Sequence, residues 1–163
     1  MTKKDLLFSP LDALHRKLDA KMAPFAGYTL PITYPLGVLK EHKHTRTSAS
    51  LFDVSHMGQA ILRGKNVIAA FESLVPADIK GLAGHRTRYT FLTNDEGGIR
   101  DDLMVSRLGE ELYVVINAGC KVQNFAYMRE RIGKQLEIEE LTNRALLALQ
   151  GPKASEVLAR YIP

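Results

Sequence analysis

The chain of 163 residues contains one cysteine and no tryptophan. Lone Cys120 cannot close an internal disulfide, which excludes a disulfide-stapled scaffold and removes any need for an oxidising compartment. No cysteine pair is present, and His42 and His44 lack the i, i+4 spacing of a helical metal pair, so no metal site is indicated. No stretch approaches the ~18 continuous apolar residues of a membrane span. The longest strongly apolar runs, such as Tyr113 to Ile116, are strand-sized, and no membrane association is expected. Phosphate-loop, G-x-G-x-x-G, G-x-S-x-G and H-E-x-x-H patterns are missing, so nucleotide-loop, serine-hydrolase and zincin readings have no local support.

What remains is 45% hydrophobic and 25% charged, a mixture that fits a globular chain with one ordinary core or two small lobes. The net charge is +4, from 22 Lys and Arg against 18 Asp and Glu. The basic residues are scattered through Lys3-Lys4, Lys40 to Arg46, Arg86 to Arg88 and Arg129 to Lys134, with acidic residues among most of them. A solvated surface is the simplest account of that pattern.

Leu11, Leu14 and Leu18 have helical spacing. Three prolines and two glycines within 22–37 forbid a long helix there, and the segment reads as extended, irregular chain. Val38 to Ala49 reads as a short polar helix. Beyond Ser55 the pattern predicts a strand at 56–63, a helix at 66–75 and a strand at 86–93. A turn at Asn94 to Gly98 separates that strand from another at Ile99 to Leu108. A strand at Glu111 to Asn117, a helix at 121–132, strands at 135–141 and 145–149, and a helix starting at Pro152 complete the chain. The order β-α-β-β-β-α-β implies an α+β fold, an elaborated ferredoxin-like antiparallel sheet with helices on one face. Residues 55–141 form that lobe; 1–54 and 142–163 read as pieces of an adjoining, incomplete domain. The closing strand with its single helix suggests a chain cut inside a larger architecture. Met1 to Asp5 has neither the apolar core of a signal peptide nor the Arg-rich pattern of a transit peptide.

Within the strand at Ile99 to Leu108, alternation puts Ile99, Asp101, Leu103 and Val105 on a core face. Arg100, Asp102, Met104 and Ser106 fall on a polar face that can line a cavity. Asp101 is expected near the rim, bonding turn amides. Asp102 can accept from an N–H donor or move a proton, or it is one of a charged pair on a hairpin rim. Asn117 ends its strand, where an amide caps a turn or reads a ligand. Tyr89 stacks on a planar ligand or belongs to the core. Cys120 reads as a small buried residue at a helix start. Asp53 and Ser55 can bond local backbone, and the five histidines read as structural or surface groups.

Five segments carry a resemblance: Ala20-Lys-Met-Ala-Pro-Phe-Ala-Gly-Tyr28, Leu51-Phe-Asp-Val-Ser-His-Met-Gly58, Gly97-Gly-Ile-Arg-Asp-Asp102, Val115-Ile-Asn-Ala118 and Leu149-Gln-Gly-Pro-Lys-Ala154. In order and spacing they resemble the glycine cleavage system aminomethyltransferases, the T-protein family, from about residue 9 onward. The family's members are considerably longer, and this chain resembles their N-terminal part. The resemblance implies a folate-binding fold and transfer of a one-carbon unit from the aminomethyl-lipoyl arm of a carrier protein to tetrahydrofolate, with release of ammonia. It implies that Asp102 is the catalytic carboxylate and that Tyr89, Asn117, Met57, Ile61 and Met104 line the folate cavity. Tetrahydrofolate enters as the acceptor substrate, the lipoylated carrier is the protein partner, and no metal is implied. Arg100 replaces the family's usual aliphatic residue and either pairs with Asp102 or extends into solvent.

Alternatives within the superfamily are a non-catalytic folate-binding protein supporting iron–sulfur enzymes and a folate-dependent demethylase. An RNA-binding ferredoxin-like module needs an aromatic RNP-type strand, which Tyr113 to Asn117 does not supply, so no nucleic-acid partner is expected. With no leader at the front, the expected location is the bacterial cytoplasm, with the mitochondrial matrix as the alternative.

Overall fold

A computed structural model describes residues 6–162; Lys3 and Lys4, like the rest of the expected leaderless start and Pro163, lie outside the described residues. In chain order the elements are β1 (Leu7–Phe8), α1 (Asp12–Lys17), β2 (Lys21–Phe25), β3 (Tyr28–Thr33), α2 (Val38–Thr47), β4 (Ser50–Asp53), β5 (Gly58–Arg63), α3 (Val67–Glu72), β6 (Thr87–Thr93), β7 (Ile99–Leu108), β8 (Glu111–Ile116), α4 (Lys121–Ile132), β9 (Glu137–Glu140), β10 (Leu147–Gln150) and α5 (Ala154–Leu158). They group into two compact units: the described residues up to His56 with those from Asn143 onward, and Met57–Thr142.

The second unit is a five-stranded sheet of order β6-β7-β8-β5-β9, every neighbouring pair antiparallel. Without edge strand β6, the order is that of a ferredoxin-like unit whose two crossovers run through α3 and α4. Alternate residues Ala60, Leu62, Leu103, Val105, Leu112, Val114 and Ile116 form one face and join Phe71 of α3 and Phe125, Met128 and Ile132 of α4 in the core. The period of two in the strands meets the three-and-four spacing of the helices, and that match of patterns is what makes the layers stick. The helix expected over 66–75 is α-helical only to Glu72; Leu74 and Val75 then bond back to Phe71 and Glu72 in tighter three-residue turns.

The first unit carries a three-stranded sheet, β1-β3-β2, and a two-stranded one, β10-β4. The irregular reading of 22–37 is corrected: β2 and β3 form an antiparallel hairpin around Ala26 and Gly27, both with positive φ. The prolines misled because each sits where a ladder bond is not needed. Pro24 lies on edge strand β2, and Pro31 lies beyond the two residues through which β3 pairs with β1. Strand β4 falls in the gap between the helix expected to end at Ala49 and the strand expected from 56, pairing with β10 from Leu147↔Asp53 to Gln150↔Ser50. The last helix starts at Ala154, with Pro152 in the turn before it. Leu14 and Leu18, expected to be the apolar stripe of α1, are exposed, and the buried member of that helix is His15.

Candidate functional site

Register in the second unit decides which side chains meet. Tyr89 is paired with Met104, Phe91 with Asp102, Met104 with Val115, and Ile61 with Tyr113. Cross-strand partners share a face, so Tyr89, Asp102, Met104 and Ile61 all lie on the side opposite the helix-covered core. Gly58 pairs with Ile116, which brings Met57 and Asn117, the next residues outward, to the same end of the sheet. The six residues singled out in the sequence thus come together at one face and one rim. Ile61 is buried and Met57 half-buried, whereas Tyr89 and Met104 are exposed, so Tyr89 does not belong to the core.

At that rim the two aspartates share one amide donor. The Asn117 side-chain nitrogen donates to Asp102 Oδ1 at 2.8 Å, to Asp101 Oδ1 at 3.0 Å and to the Asp102 carbonyl at 3.2 Å. Asp101 Oδ1 also accepts the Asp102 backbone N–H at 3.0 Å. Its other oxygen accepts from the side chain of Asn124, on α4, at 2.5 Å. Asp101 therefore bonds side-chain amides, together with its neighbour's backbone N–H, in place of the expected turn amides. The Tyr89 phenol is held above its ordinary pKa, first by desolvation and then by the nearby Asp102 carboxylate.

Arg100 departs from the expected parity. Leu92 pairs with Asp101 and Thr93 with Ile99, so Arg100 is the extra residue of a β-bulge. The bulge turns its guanidinium away from Asp102 and onto the Tyr127 ring of α4, 4.2 Å from the centroid. The same irregularity leaves Ile99, expected in the core, exposed.

Asn124 was not singled out in the sequence, although a signal was there. It lies four residues before Met128 on the buried face of α4 and is itself 3% exposed. A polar side chain on an apolar stripe needs a partner, and Asp101 supplies it. Cys120 is half-buried at the start of α4. Among the described residues no group of three His, Cys, Asp or Glu converges as a metal site would require.

The first unit holds a separate polar cluster. Asp53 accepts from Ser9 Oγ, from Ser55 N–H at 2.9 Å and Oγ at 2.5 Å, and from His15 Nε2 at 2.8 Å. His15 Nδ1 meets the Tyr34 hydroxyl at 2.8 Å. Asp53 bonds the local Ser55 N–H as expected and gains two long-range partners, whereas the Ser55 hydroxyl bonds the Asp53 side chain and the backbone of Leu146 in place of local backbone.

A crystal structure of glycine cleavage system aminomethyltransferase T from Bartonella henselae is 44% identical and superimposes with a TM-score of 0.89, over 95% of this chain and 43% of that one. The fold is therefore of the class that glycine cleavage aminomethyltransferases define. The model of the GCVT N-terminal domain matches residues 11–163, and the chain belongs to that family. Curated relatives include the mitochondrial aminomethyltransferase of Gallus gallus, 43% identical over 95% of this chain and 41% of the relative. The aminomethyltransferase of Thermus thermophilus is 40% identical over 92% of this chain and 44% of its own length. The chain spans roughly two fifths of the relatives it matches.

Proposed function

We propose that the complete protein carrying this chain transfers a one-carbon unit from an aminomethyl-lipoyl carrier protein to tetrahydrofolate, releasing ammonia, and that Asp102 is its catalytic carboxylate. Family membership supports the reaction, and the position of Asp102 supports its role. An ionised carboxylate only accepts hydrogen bonds, so an Asp102 oxygen can hold an N–H of the reduced pterin. The same charge stabilises the positive centre that develops as the carbon–nitrogen bond to ammonia breaks. Tyr89, Met104, Ile61 and Met57 form an apolar and aromatic surface beside it, suited to the flat faces of a heterocycle. Holding the pterin nitrogen against the one-carbon donor reduces the entropic part of the barrier. A net charge of +4 would favour encounter with an acidic carrier. Relatives from both bacteria and mitochondria fit a protein that works where glycine is degraded.

The observation that carries this reading is Asp102, an acceptor tethered by Asn117 at the end of an apolar face. In the complete protein, Asp102→Asn is expected to lower kcat by about 10²-fold or more while the KM for tetrahydrofolate stays nearly constant. Ammonia release and methylenetetrahydrofolate formation, followed together, check it. Equal losses in kcat and affinity would assign Asp102 to binding, and unchanged turnover would remove it from the mechanism. Wild-type protein that binds folate without turnover would favour the non-catalytic folate-binding reading.

A further inference from the structure

We propose that Asp101 and Asn124 are positioning residues that lock the Asn117 amide in the one orientation in which it donates to Asp102. This rests on the reading of Asp102 as the reacting carboxylate, and it concerns side chains that the family resemblance left without a role.

The chain of bonds runs from helix to site. Asn124, 3% exposed on α4, donates to Asp101 Oδ2 at 2.5 Å. Asp101 Oδ1 accepts from Asn117 at 3.0 Å, and Asn117 donates to Asp102 Oδ1 at 2.8 Å. An asparagine side chain has two nearly isosteric orientations, related by a half-turn that exchanges its oxygen and nitrogen. Beside Asp102 alone, the wrong orientation would lose the donor bonds to its Oδ1 and its carbonyl and set an amide oxygen against a carboxylate. With Asp101 present it loses a third donor bond and meets a second carboxylate. Asp101 thus strengthens the preference, and it holds its own angle because Asn124 and the Asp102 backbone N–H fix both of its oxygens. One consequence is chemical: the Asn117 nitrogen faces the acid pair, and its carbonyl oxygen points away from it. The rim then offers any ligand two kinds of acceptor, a carboxylate oxygen and an amide oxygen, a pattern matched by a heterocycle edge rich in N–H groups.

The experiment uses the complete protein carrying this chain, labelled for NMR, with Asn124→Leu, Asp101→Asn, and the exchange pair Asp101→Asn with Asn124→Asp. Backbone amide signals of β7, β8 and α4 report the fold. The readout is water exchange of the Asn117 side-chain amide protons. Either single substitution should speed that exchange by about tenfold or more, as expected when Asn117 loses a fixed acceptor at position 101. The exchange pair swaps carboxylate and amide between the two positions, keeps the charge and the donor–acceptor match, and should return exchange to within about twofold of wild type. Unchanged Asn117 exchange in singles that keep native backbone signals would overturn the proposal. So would an exchange pair no better than Asp101→Asn alone. In the complete protein, Asn124→Leu should lower kcat while the KM for tetrahydrofolate holds; KM rising alone would also overturn it. A wild-type protein without folate turnover defeats the functional reading, whereas the amide-exchange rates still decide whether the lock exists.

Discussion

Asp53 and His15, 38 positions apart, meet through a 2.8 Å hydrogen bond in which both side chains are almost fully buried, at 1% and 6% exposure. A carboxylate only accepts, so His15 Nε2 carries the hydrogen and, in the neutral ring, Nδ1 accepts from Tyr34. The bond ties α1 to the strand that opens the Asp-Val-Ser-His-Met-Gly run. The acidic residue of that run thus serves the architecture of the first unit.

Burial alone would push the Asp53 carboxyl up, but donors from His15, Ser55 and Ser9 outweigh it and hold the carboxyl below its ordinary range. A group held low in the folded state contributes stability that is complete above its unfolded value. That contribution disappears as pH falls through the folded value. Asp53→Asn should therefore cost about 1.5–3 kcal/mol near neutral pH, the range for hydrogen bonds to a charged group. Below about pH 4 the difference from wild type should narrow, because wild type then loses the same interaction. Urea unfolding across that range checks it; a gap that stays constant into acid would show that ionisation of Asp53 is not what stabilises the unit.

Gly151 follows the same architectural logic. Its φ is +118°, and a Cβ there would stand 2.3 Å from the Ser48 carbonyl oxygen and 2.7 Å from that of Thr45. The Gln-Gly-Pro turn presses its backbone onto the end of α2, where Lys153 N–H also donates to Ser48 at 3.1 Å. Gly151→Ala should destabilise the fold by about 1–3 kcal/mol, from overpacking and backbone strain together. Thermal unfolding of the variant measures it. A midpoint equal to wild type would mean that the turn can move off α2 freely.

Much of the second unit was legible in the sequence, because its strands alternate and its helices carry apolar residues at helical spacing; β7 and α4 have the expected ends. Parity also grouped Asp102 with Met104 correctly. It failed at Arg100, since one extra residue in a bulge reverses direction without leaving a mark in composition. In the first unit, Leu30 is the buried hydrophobic residue among those described, while Ser9, His15 and Ser55 are buried polar groups. A centre built on hydrogen bonds has no hydrophobic period to read, so β4 and the hairpin escaped notice. Asn124 carried an unread signal, a polar side chain on an otherwise apolar helical stripe, whereas His15 is the buried member of a helix beside exposed leucines.

Arg100 lies over Tyr127, whose hydroxyl donates to the Thr93 carbonyl at 2.8 Å. Removing the guanidinium should forfeit an exposed cation–π contact worth about 0.5–1 kcal/mol. Arg100→Ala and Tyr127→Leu, singly and together, form the cycle that measures it. Additive losses would mean that the stacked pair contributes nothing beyond its separate contacts.

Gly58, the last residue of the Asp-Val-Ser-His-Met-Gly run, begins β5 against the first turns of α4. A Cβ at this position would lie 2.9 Å from Phe125 Cε2 and 3.0 Å from the Lys121 Cβ. Phe125 is buried and adjoins Asn124, so a displaced α4 would also pull on Asp101. Gly58→Ala is expected to destabilise the second unit by about 1–3 kcal/mol through overpacking. Phe125→Leu trims the ring that the new methyl would strike, at its own cost of about 1 kcal/mol or more for lost core contacts. If close approach is why glycine stands here, the double variant should recover part of the sum, with a coupling of about 0.5–3 kcal/mol. Urea midpoints of the four proteins decide it. Strict additivity would mean that the helix accommodates the methyl without meeting Phe125, and that glycine at this position answers to something other than packing.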